Sequence, residues 1–329
     1  MQIEDDFIHL AYTPDMTQAG IQYACRSLAY TYDRMGGSPF ERMRRIVAGK
    51  AVELAFRRHL SSQDIPHDNL GATHFTEPDH YDVALGGRRC DLKSFLIFHK
   101  SKISRLRQYP GLLLQAAALV PDDQLFAEHH SDQDLYIFAF VLALVTPDFD
   151  TLQQARQAGQ PVHLVLPLPA AWAQPETWAP LGRLALKNEL APEVTVELGG
   201  QDSQHGFITE SLQLPPGRRI QSNRDFHSLA YLHAPELPAG RVGISAPRLG
   251  EAHLAATGEW GNIWVYGIET VLAGWMRRGE FRQHAKRLPQ GSRTFLYPRT
   301  RTPNRWLPVA QLHPMQELFE YTRRWKHSL

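Results

Sequence analysis

Apolar positions near the N-terminus follow a helical spacing. Ser38-Pro39-Phe40-Glu41 has the form of a helix start, with Ser as the N-cap, Pro in the first turn and Glu three residues after the cap. The residues that follow on one stripe at a 3.6-residue repeat are Ile46, Gly49, Glu53, Phe56 and Leu60. The pattern therefore predicts a helix to about Leu60, with Glu53 on or beside the face that packs on the core.

Extended and helical patterns then alternate. The segment Tyr81 to Phe98 is typical of two strands joined by the two-residue turn Gly86-Gly87, because both turn positions tolerate positive φ. Lys102 to Leu119 has helical spacing, with a break at Pro110-Gly111. Leu135 to Val145 is apolar throughout, which predicts a central buried strand. The order of helix, hairpin, helix and buried strand describes one α/β unit.

The second half of the chain has shorter apolar runs separated by prolines. The predicted strands there are Val194 to Leu198, Phe207 to Leu214, Phe226 to Leu232 and Ile263 to Ile268. A helical pattern then covers about Glu269 to Arg287. We therefore predict an α/β domain over residues 1–148 and a β-rich mixed domain over residues 149–329, the latter for recognition of nucleic acid or a partner.

Composition narrows the class of protein. The 329 residues are 43% hydrophobic and 21% charged, as in ordinary globular chains, and the length suits two domains. The two cysteines form no CxxC pair, the N-terminus lacks a signal-peptide pattern, and the longest apolar run is too short for a bilayer. These features predict a cytoplasmic protein without a membrane segment. The net charge of +1 means that any nucleic-acid contact depends on locally clustered cations.

The register of the hairpin brings candidate chemistry together. If Gly86-Gly87 is the turn, the pairs are Leu85 with Arg88, Ala84 with Arg89, Val83 with Cys90, and then Asp82 with Asp91. Residues directly opposite in an antiparallel pair project to the same face. Because side chains alternate along a strand, Lys93 shares that face with Asp91. The hairpin is therefore predicted to hold two carboxylates beside one ammonium group.

This set of groups suits phosphodiester hydrolysis. Adjacent carboxylates repel each other unless one is protonated or a cation lies between them. A hard divalent cation such as Mg²⁺ prefers carboxylate oxygens and water, and Glu53 offers a third oxygen. Lys93 would orient the attacking water or stabilise charge on the phosphate.

Glu53, Asp82 and the Asp91-Leu92-Lys93 triplet together resemble the PD-(D/E)xK nuclease superfamily, over about residues 37–146. The resemblance implies a restriction-endonuclease-like core, a mixed sheet flanked by helices. It also implies that Asp82, Asp91 and Glu53 bind Mg²⁺ or Mn²⁺ and that Lys93 assists the water. Members mostly cut DNA, so we expect an endodeoxyribonuclease acting in restriction, phage defence or repair.

The resemblance has two departures. The literal Pro-Asp pair is Pro78-Asp79, and we prefer Asp82 because the register places it opposite Asp91. Gln115 matches a glutamine that some members keep, but Leu119 stands where they have tyrosine. Two alternatives stay open. One is a structure-specific nuclease for junctions, flaps or ends; the other is a nucleic-acid-binding scaffold of nuclease fold that acts with a partner.

A basic segment near the C-terminus is the candidate DNA-binding surface. Its cations alternate with aromatic residues, a combination that grips phosphates and stacks on bases. The candidate contacts are Arg293, Arg299, Arg301 and Arg305, together with Gln115. A solvated basic loop is the competing interpretation. Cleavage of both strands of a duplex would favour a homodimer, although the sequence shows no interface pattern.

Overall fold

The structure is a computed structural model that describes residues 3–30, 37–70, 81–128 and 130–326. The helices within these ranges are α1 (Pro14–Ser27), α2 (Pro39–Ser62), α3 (Lys100–Gln108), α4 (Asp122–Leu125), α5 (Phe149–Gln157), α6 (Ala170–Ala173), α7 (Arg278–His284) and α8 (Met315–Lys326). The strands are β1 (Ile8–Leu10), β2 (His67–Asp68), β3 (Val83–Leu85), β4 (Arg88–Ile97), β5 (Ala117–Pro121), β6 (Leu135–Leu144), β7 (Leu164–Pro167), β8 (Ala185–Asn188), β9 (Val194–Gln201), β10 (Phe207–Leu214), β11 (Arg219–Gln221), β12 (Ser228–Ala234), β13 (Val242–Ser245), β14 (His253–Ala255), β15 (Gly261–Asn262), β16 (Tyr266–Arg277), β17 (Lys286–Leu288) and β18 (Asn304–Pro308).

A six-stranded mixed sheet organises the part of the fold that carries the candidate site. Its strand order is β1-β16-β6-β4-β3-β2. The neighbours β4 and β6 are parallel, and the other adjacent pairs are antiparallel. The chain is therefore of mixed α/β class, as predicted.

Strand β6 is the predicted central strand, and all of its residues except Leu144 are buried. Alternate side chains enter two different cores. Ile137 and Ala139 face the core that also contains buried residues of α1, α2 and α8. Phe138 and Phe140 face the core formed with α3, α7 and the small sheet β17-β18-β5. A strand covered on both faces requires an uninterrupted apolar run, which is what the sequence carries.

Local signals placed α2 and the hairpin correctly. The Ser38 hydroxyl accepts a hydrogen bond from the Glu41 backbone N–H at 3.2 Å, which caps the start of α2. Gly86 and Gly87 have φ of +52° and +70°, and the predicted pairs of Leu85, Ala84 and Val83 with Arg88, Arg89 and Cys90 are formed. Positive φ at both turn positions is the condition that favours glycine there.

Two predicted helices are wrong in part. The segment Lys102 to Leu119 is α-helical to Gln108 and, after the predicted break, forms a 3-10 helix over Pro110–Gln115; β5 then begins at Ala117, so Leu119 lies on a strand. The predicted helix from Glu269 to Arg287 is mostly strand β16, followed by the short helix α7. Strand β16 lies between β1 and β6 and is buried along most of its length. A short apolar run of this kind has no periodicity that separates a buried strand from a buried helix.

Residues 149–262 form a unit inserted between two neighbouring strands of the main sheet. Strand β6 ends at Leu144 and its antiparallel neighbour β16 begins at Tyr266. Between them, the sheets β10-β9-β12-β7-β15 and β11-β8-β13-β14 enclose a core of their own. The predicted second domain, residues 149–329, is therefore split in two. Residues 149–262 form the insertion, and β16, which follows them, belongs to the main sheet.

Arg44 of α2 joins the two ends of this insertion. Its guanidinium donates to the backbone oxygen of Thr146 at 2.6 Å and to that of Asn262 at 2.7 and 2.9 Å. The Asn262 side chain also donates to the Thr146 hydroxyl at 3.0 Å. Burial lowers the pKa of Arg44 to about 10, so the group remains charged at neutral pH. The residues that enter and leave the insertion are thus fixed to α2.

In the part of the chain that the structure describes, none of the helices combines the length and the apolar character needed to cross a membrane.

A half-buried cluster of titratable groups lies where α1 meets the insertion. The rings of His163 and His233 stack with their centroids 3.7 Å apart. His163 Nε2 lies 3.8 Å from the Cys25 sulfur, and His233 Nδ1 lies 3.8 Å from a Glu197 oxygen. Burial lowers the pKa of His163 to about 3, with a further contribution from the His233 charge, and lowers that of His233 to about 4. Burial also raises the pKa of Glu197, with the Tyr231 hydroxyl opposing it.

These histidines predict a loss of stability in mild acid. Below pH 6.5 the unfolded chain protonates both rings while the folded chain keeps them neutral, so the free energy of unfolding falls as the pH falls. Between pH 7 and 5.5 the fall should be about 1 kcal/mol for each histidine. Glu197 acts in the opposite sense, because its raised pKa favours folding as it protonates. Urea denaturation across this pH range measures the net slope.

Variants separate this effect from other titrations. His163→Gln and His233→Gln should each flatten the pH dependence of the unfolding free energy, whereas the exposed His9→Gln should leave it unchanged. A pH slope identical in wild type and in both buried-site variants would contradict the assignment.

Candidate active site

The candidate site lies where β3 leaves β4. The β3–β4 ladder ends at the pair Val83–Cys90, so the expected pair of Asp82 with Asp91 is not part of it. The Asp82 backbone N–H instead donates to the Cys90 oxygen at 3.1 Å, and the Leu92 N–H donates to Asp82 Oδ2 at 2.6 Å. The Asp82 carboxylate thus accepts the Leu92 N–H, which a backbone oxygen of β3 would accept if the ladder continued. Asp82 is thereby held at the end of the hairpin.

Asp82 lies shielded from water near two other carboxylates. Shielding from water raises its pKa well above the ordinary aspartate value, and the negative charges of Glu53 and Asp91 raise it further. The Leu92 N–H and the Lys50 charge act in the opposite direction. Asp82 is therefore within electrostatic reach of both other carboxylates, and a cation placed among them would lower the repulsion.

Asp91 and Lys93 share one face of β4, as the strand alternation predicts. Lys93 Nζ donates to Asp91 Oδ2 at 2.5 Å and to the Gln124 side-chain oxygen at 2.7 Å. It also lies 5.5 Å from the centre of the Tyr136 ring. The Lys93 side chain is 12% exposed and that of Asp91 is 33% exposed, so the acid is the more accessible of the two. Three contacts, one each from β4, α4 and β6, thus fix the ammonium group.

Glu53 approaches from the other face of the sheet. Helix α2 packs on the core that contains Leu92, whereas Asp91 and Lys93 point away from that core. Lys50 Nζ donates to Glu53 Oε2 at 2.8 Å, and the Arg57 guanidinium lies 4.0 Å from the same oxygen. Lys50 also lies 4.2 Å from the centre of the Tyr23 ring. Glu53 is therefore near Asp82 but is engaged by cations of its own helix.

The three carboxylates do not form a ready-made cage. Within residues 3–30, 37–70, 81–128 and 130–326, no three His, Cys, Asp or Glu side chains are grouped so that they could hold a metal ion. Each of them already has a partner in the protein: Asp82 accepts from a backbone N–H, and Asp91 and Glu53 are each paired with a lysine. The alternative acid of the literal motif, Asp79, lies outside the described residues.

A basic groove opens beside Lys93 along β4. Among the described residues, no strand pairs with β4 on the β3 side beyond Cys90. The groove that follows this edge has a volume of about 390 Å³. Its cationic lining residues are Arg42 and Arg45 from α2, Lys93 from β4, and Arg299 and Arg301 from the segment before β18. Lys93 and Gln124 belong both to this groove and to the acidic site.

The structure separates the predicted arginine contacts into two groups. Arg299 and Arg301 line the groove. Arg293 and Gln115 are exposed and are not among the residues that line it. Arg305 is also outside the groove, because it pairs with Asp122 at 3.2 Å and lies over the Phe126 ring at 5.5 Å. Two of the five predicted contacts therefore line the groove that also contains Lys93.

Charge along the chain is distributed unevenly, in agreement with this groove. Residues 149–262 contain eight Lys and Arg residues against eleven Asp and Glu residues. Residues 263–329 contain twelve Lys and Arg residues against four Asp and Glu residues. The basic part of the predicted second domain is thus the part that returns to the main sheet. The inserted unit itself has no excess of positive charge to attract a polyanion.

Three residues of the groove, Gln124, Arg42 and Arg45, are not predicted from the sequence. Gln124 lies on the four-residue helix α4, and only the packing of α4 beside β4 brings it to Lys93. Arg42 and Arg45 are three residues apart, a spacing that places both on one face of α2. That spacing is a usable signal, but it does not reveal which surface the arginines face.

The chain matches no protein-family model, and neither a curated protein nor a solved structure is significantly similar to it. A functional assignment therefore depends on the chemistry of the site.

Proposed function

We propose that this protein is a metal-dependent nuclease that hydrolyses DNA phosphodiester bonds and is built on a restriction-endonuclease-like core. The observation that carries the proposal is that two residues of the arginine-lined groove contact the acids: Lys93 donates to Asp91, and the Leu92 N–H donates to Asp82. Carboxylates beside an ammonium group suit a hydrolytic site for phosphodiesters, and the arginines suit a polyanionic substrate.

The donor set fits Mg²⁺ or Mn²⁺ without a third protein ligand. Mg²⁺ keeps several waters and is commonly held by one or two carboxylates together with substrate phosphate oxygens. Asp82 and Asp91 would be those carboxylates, and the raised pKa of Asp82 indicates that negative charge there lacks compensation. Glu53 would act at longer range, because Lys50 and Arg57 engage its carboxylate. When bound, the cation would supply Lewis acidity that activates water and neutralises the phosphate.

The residues of the chain have separate tasks in this proposal. Arg299 and Arg301 would hold phosphates of the strand in the groove, next to Lys93. Lys93 would place its ammonium group beside the scissile phosphate and stabilise the charge that develops there. Gln124 and Asp91 would orient that ammonium group through the hydrogen bonds at 2.7 and 2.5 Å.

Incubation with defined substrates tests the proposal. Purified protein is incubated with plasmid, linear, single-stranded and branched DNA in Mg²⁺, in Mn²⁺ and in EDTA. We expect cleavage that requires the divalent cation. DNA that stays intact under every metal condition, with a folded protein, would contradict the proposed activity.

A second candidate is a nucleic-acid-binding scaffold that works with a partner. The observation in its favour is that each of the three carboxylates already has a partner inside the protein and that the described residues lack a three-ligand group. A scaffold should bind DNA equally with and without Mg²⁺ and should never nick it. The same incubations, combined with a binding assay, distinguish the two candidates.

Gln124 supports a prediction on turnover. Gln124→Met keeps the volume of the side chain but removes the acceptor of the Lys93 hydrogen bond. Loss of orientation at a reacting centre slows the chemical step, and we expect turnover to fall about tenfold with DNA affinity unchanged. Gln133→Met is the matched control, because Gln133 accepts from Arg88 at 2.8 Å and does not line the groove. Equal turnover in the two variants would remove Gln124 from the site.

A further inference from the structure

The groove beside Lys93 combines an apolar floor with a cationic rim. Its floor is formed by apolar side chains from α2, β4 and β5, namely Ile46, Leu92, Phe95, Leu96, Leu119 and Pro121. Arginines from α2 and from the segment 299–301 stand around it. A site of this kind favours a ligand that is itself part apolar ring and part anion.

The arginines at the rim are able to engage a new anion. Arg301 contacts Glu41 at 3.5 Å, with side chains that are 45% and 47% exposed. An exposed ion pair of this length contributes little, so phosphate oxygens compete with Glu41 for the guanidinium. Arg299 lies in the same exposed segment. The rim is therefore suited to phosphate without a large rearrangement.

A duplex does not match this surface. The bases of a duplex are stacked inside, and a duplex lying on the rim would present phosphates and leave the apolar floor without a ligand. An unpaired strand offers its bases freely, and single-strand binding sites combine a basic groove with surfaces for base stacking. The half-buried Tyr297 ring lines the groove and supplies such a surface. The volume of about 390 Å³ is near the lower end for small-molecule sites, which limits the number of bases that enter.

We propose that the groove binds an unpaired nucleotide of the substrate strand, with its base on the apolar floor and its flanking phosphates on Arg299 and Arg301. The inference rests on the proposed nuclease function and narrows its substrate to single strands, strand ends or the unpaired parts of branched DNA. The phosphate on the Lys93 side of this nucleotide would then be the one presented to Asp82 and Asp91.

Binding measured in EDTA tests the inference without cleavage. The probes are a 12-nucleotide fluorescein-labelled single strand, the blunt duplex of the same sequence, and a 12-unit strand whose sugars lack bases. By fluorescence anisotropy the intact single strand should bind about tenfold more tightly than either of the other two, because only its bases are free to stack. Equal affinity for the intact and the baseless strands would overturn the placement of a base in the groove.

Arginine variants tie the binding to this groove. Arg299→Ala combined with Arg301→Ala should weaken single-strand binding about tenfold and lower the slope of log affinity against log salt by about 0.7 per lost phosphate contact. Arg293→Ala is the matched control, since Arg293 is in the same segment but does not line the groove. Unchanged binding by the double variant, with an unchanged melting temperature, would overturn the proposal.

The two proposals fail in different ways. Cleavage in Mg²⁺ of the interior of a duplex, with no preference for unpaired strands, overturns the inference and leaves the nuclease in place. Tight single-strand binding without cleavage in any metal supports the inference and removes the nuclease.

Discussion

Replacing Asp82 with asparagine should abolish cleavage and at the same time stabilise the protein at neutral pH. Asparagine keeps an oxygen for the Leu92 N–H but removes a metal-binding carboxylate, and we expect activity to fall at least about a thousandfold, equivalent to about 4 kcal/mol of transition-state stabilisation. The stability effect has a separate cause. Asp82 is shielded from water beside the charges of Glu53 and Asp91, which raises its pKa.

The sign of the stability effect follows from linkage. A carboxyl whose pKa is raised on folding favours the folded state most below its unfolded pKa, and this contribution is lost as the pH rises through the folded pKa. Wild type should therefore lose stability above about pH 4 through this group, while Asp82→Asn should not. Urea denaturation of both proteins from pH 4 to 8 measures the difference.

Two control variants make the Asp82 result specific. Asp68 is a nearby acid that accepts from the Leu70 N–H and the Tyr81 hydroxyl at the surface, so Asp68→Asn should retain cleavage. Asp79→Asn tests the literal motif of the sequence. Loss of cleavage in Asp79→Asn together with wild-type activity in Asp82→Asn would show that Asp82 is the wrong acid.

Replacing Lys93 with alanine should remove most of the turnover while leaving DNA affinity close to wild type. A cation that stabilises charge only in the transition state affects the chemical step and spares ground-state binding. Loss of one such group lowers turnover about 10²- to 10³-fold in comparable sites. Single-turnover kinetics with saturating DNA separate the chemical step from binding.

The controls for Lys93 test charge and geometry. Lys93→Arg keeps the charge but changes the donor geometry at Asp91 and Gln124, so we expect partial activity. Lys100→Ala removes an exposed lysine at the start of α3 and should be neutral. Turnover of Lys93→Ala within about tenfold of wild type would contradict the assigned role, since transition-state stabilisation of this kind is larger.

Local rules in the sequence determined several elements of this protein. The cap at Ser38 fixes the start of α2 because its hydroxyl satisfies a free backbone N–H. Gly86-Gly87 fixes the register of the hairpin because both residues adopt positive φ. The same register, with strand alternation, places Asp91 and Lys93 on one face, where their side chains are 2.5 Å apart.

Other features were decided by contacts between distant parts of the chain. Residues 266–277 form a strand because β1 and β6 offer it hydrogen bonds and burial on both sides, whereas the apolar run alone also fits a helix. Asp82 leaves the ladder because its side-chain carboxylate accepts the Leu92 N–H, which a paired strand would bind with a backbone oxygen. Rules for strand pairing consider only the backbone and do not predict this bond. No local sequence pattern marks residues 149–262 as an insertion. They are an insertion only because β16, which follows them, pairs with β6, which precedes them.

The groove combines residues that the sequence predicts with a surface that only the tertiary structure creates. The sequence predicts the basic residues near residue 300 and the acidic pair on the hairpin, but the role of the α2 arginines is not predicted from it. Only the tertiary structure brings them together: Glu41 and Arg301, which are 260 residues apart in the chain, are in contact beside the edge of β4. Arginines are exposed in many arrangements of a chain, so their pattern alone does not select a partner surface. The packing of α2 and of the returning C-terminal segment against one sheet places the arginines beside Lys93, and long-range burial of apolar residues drives that packing.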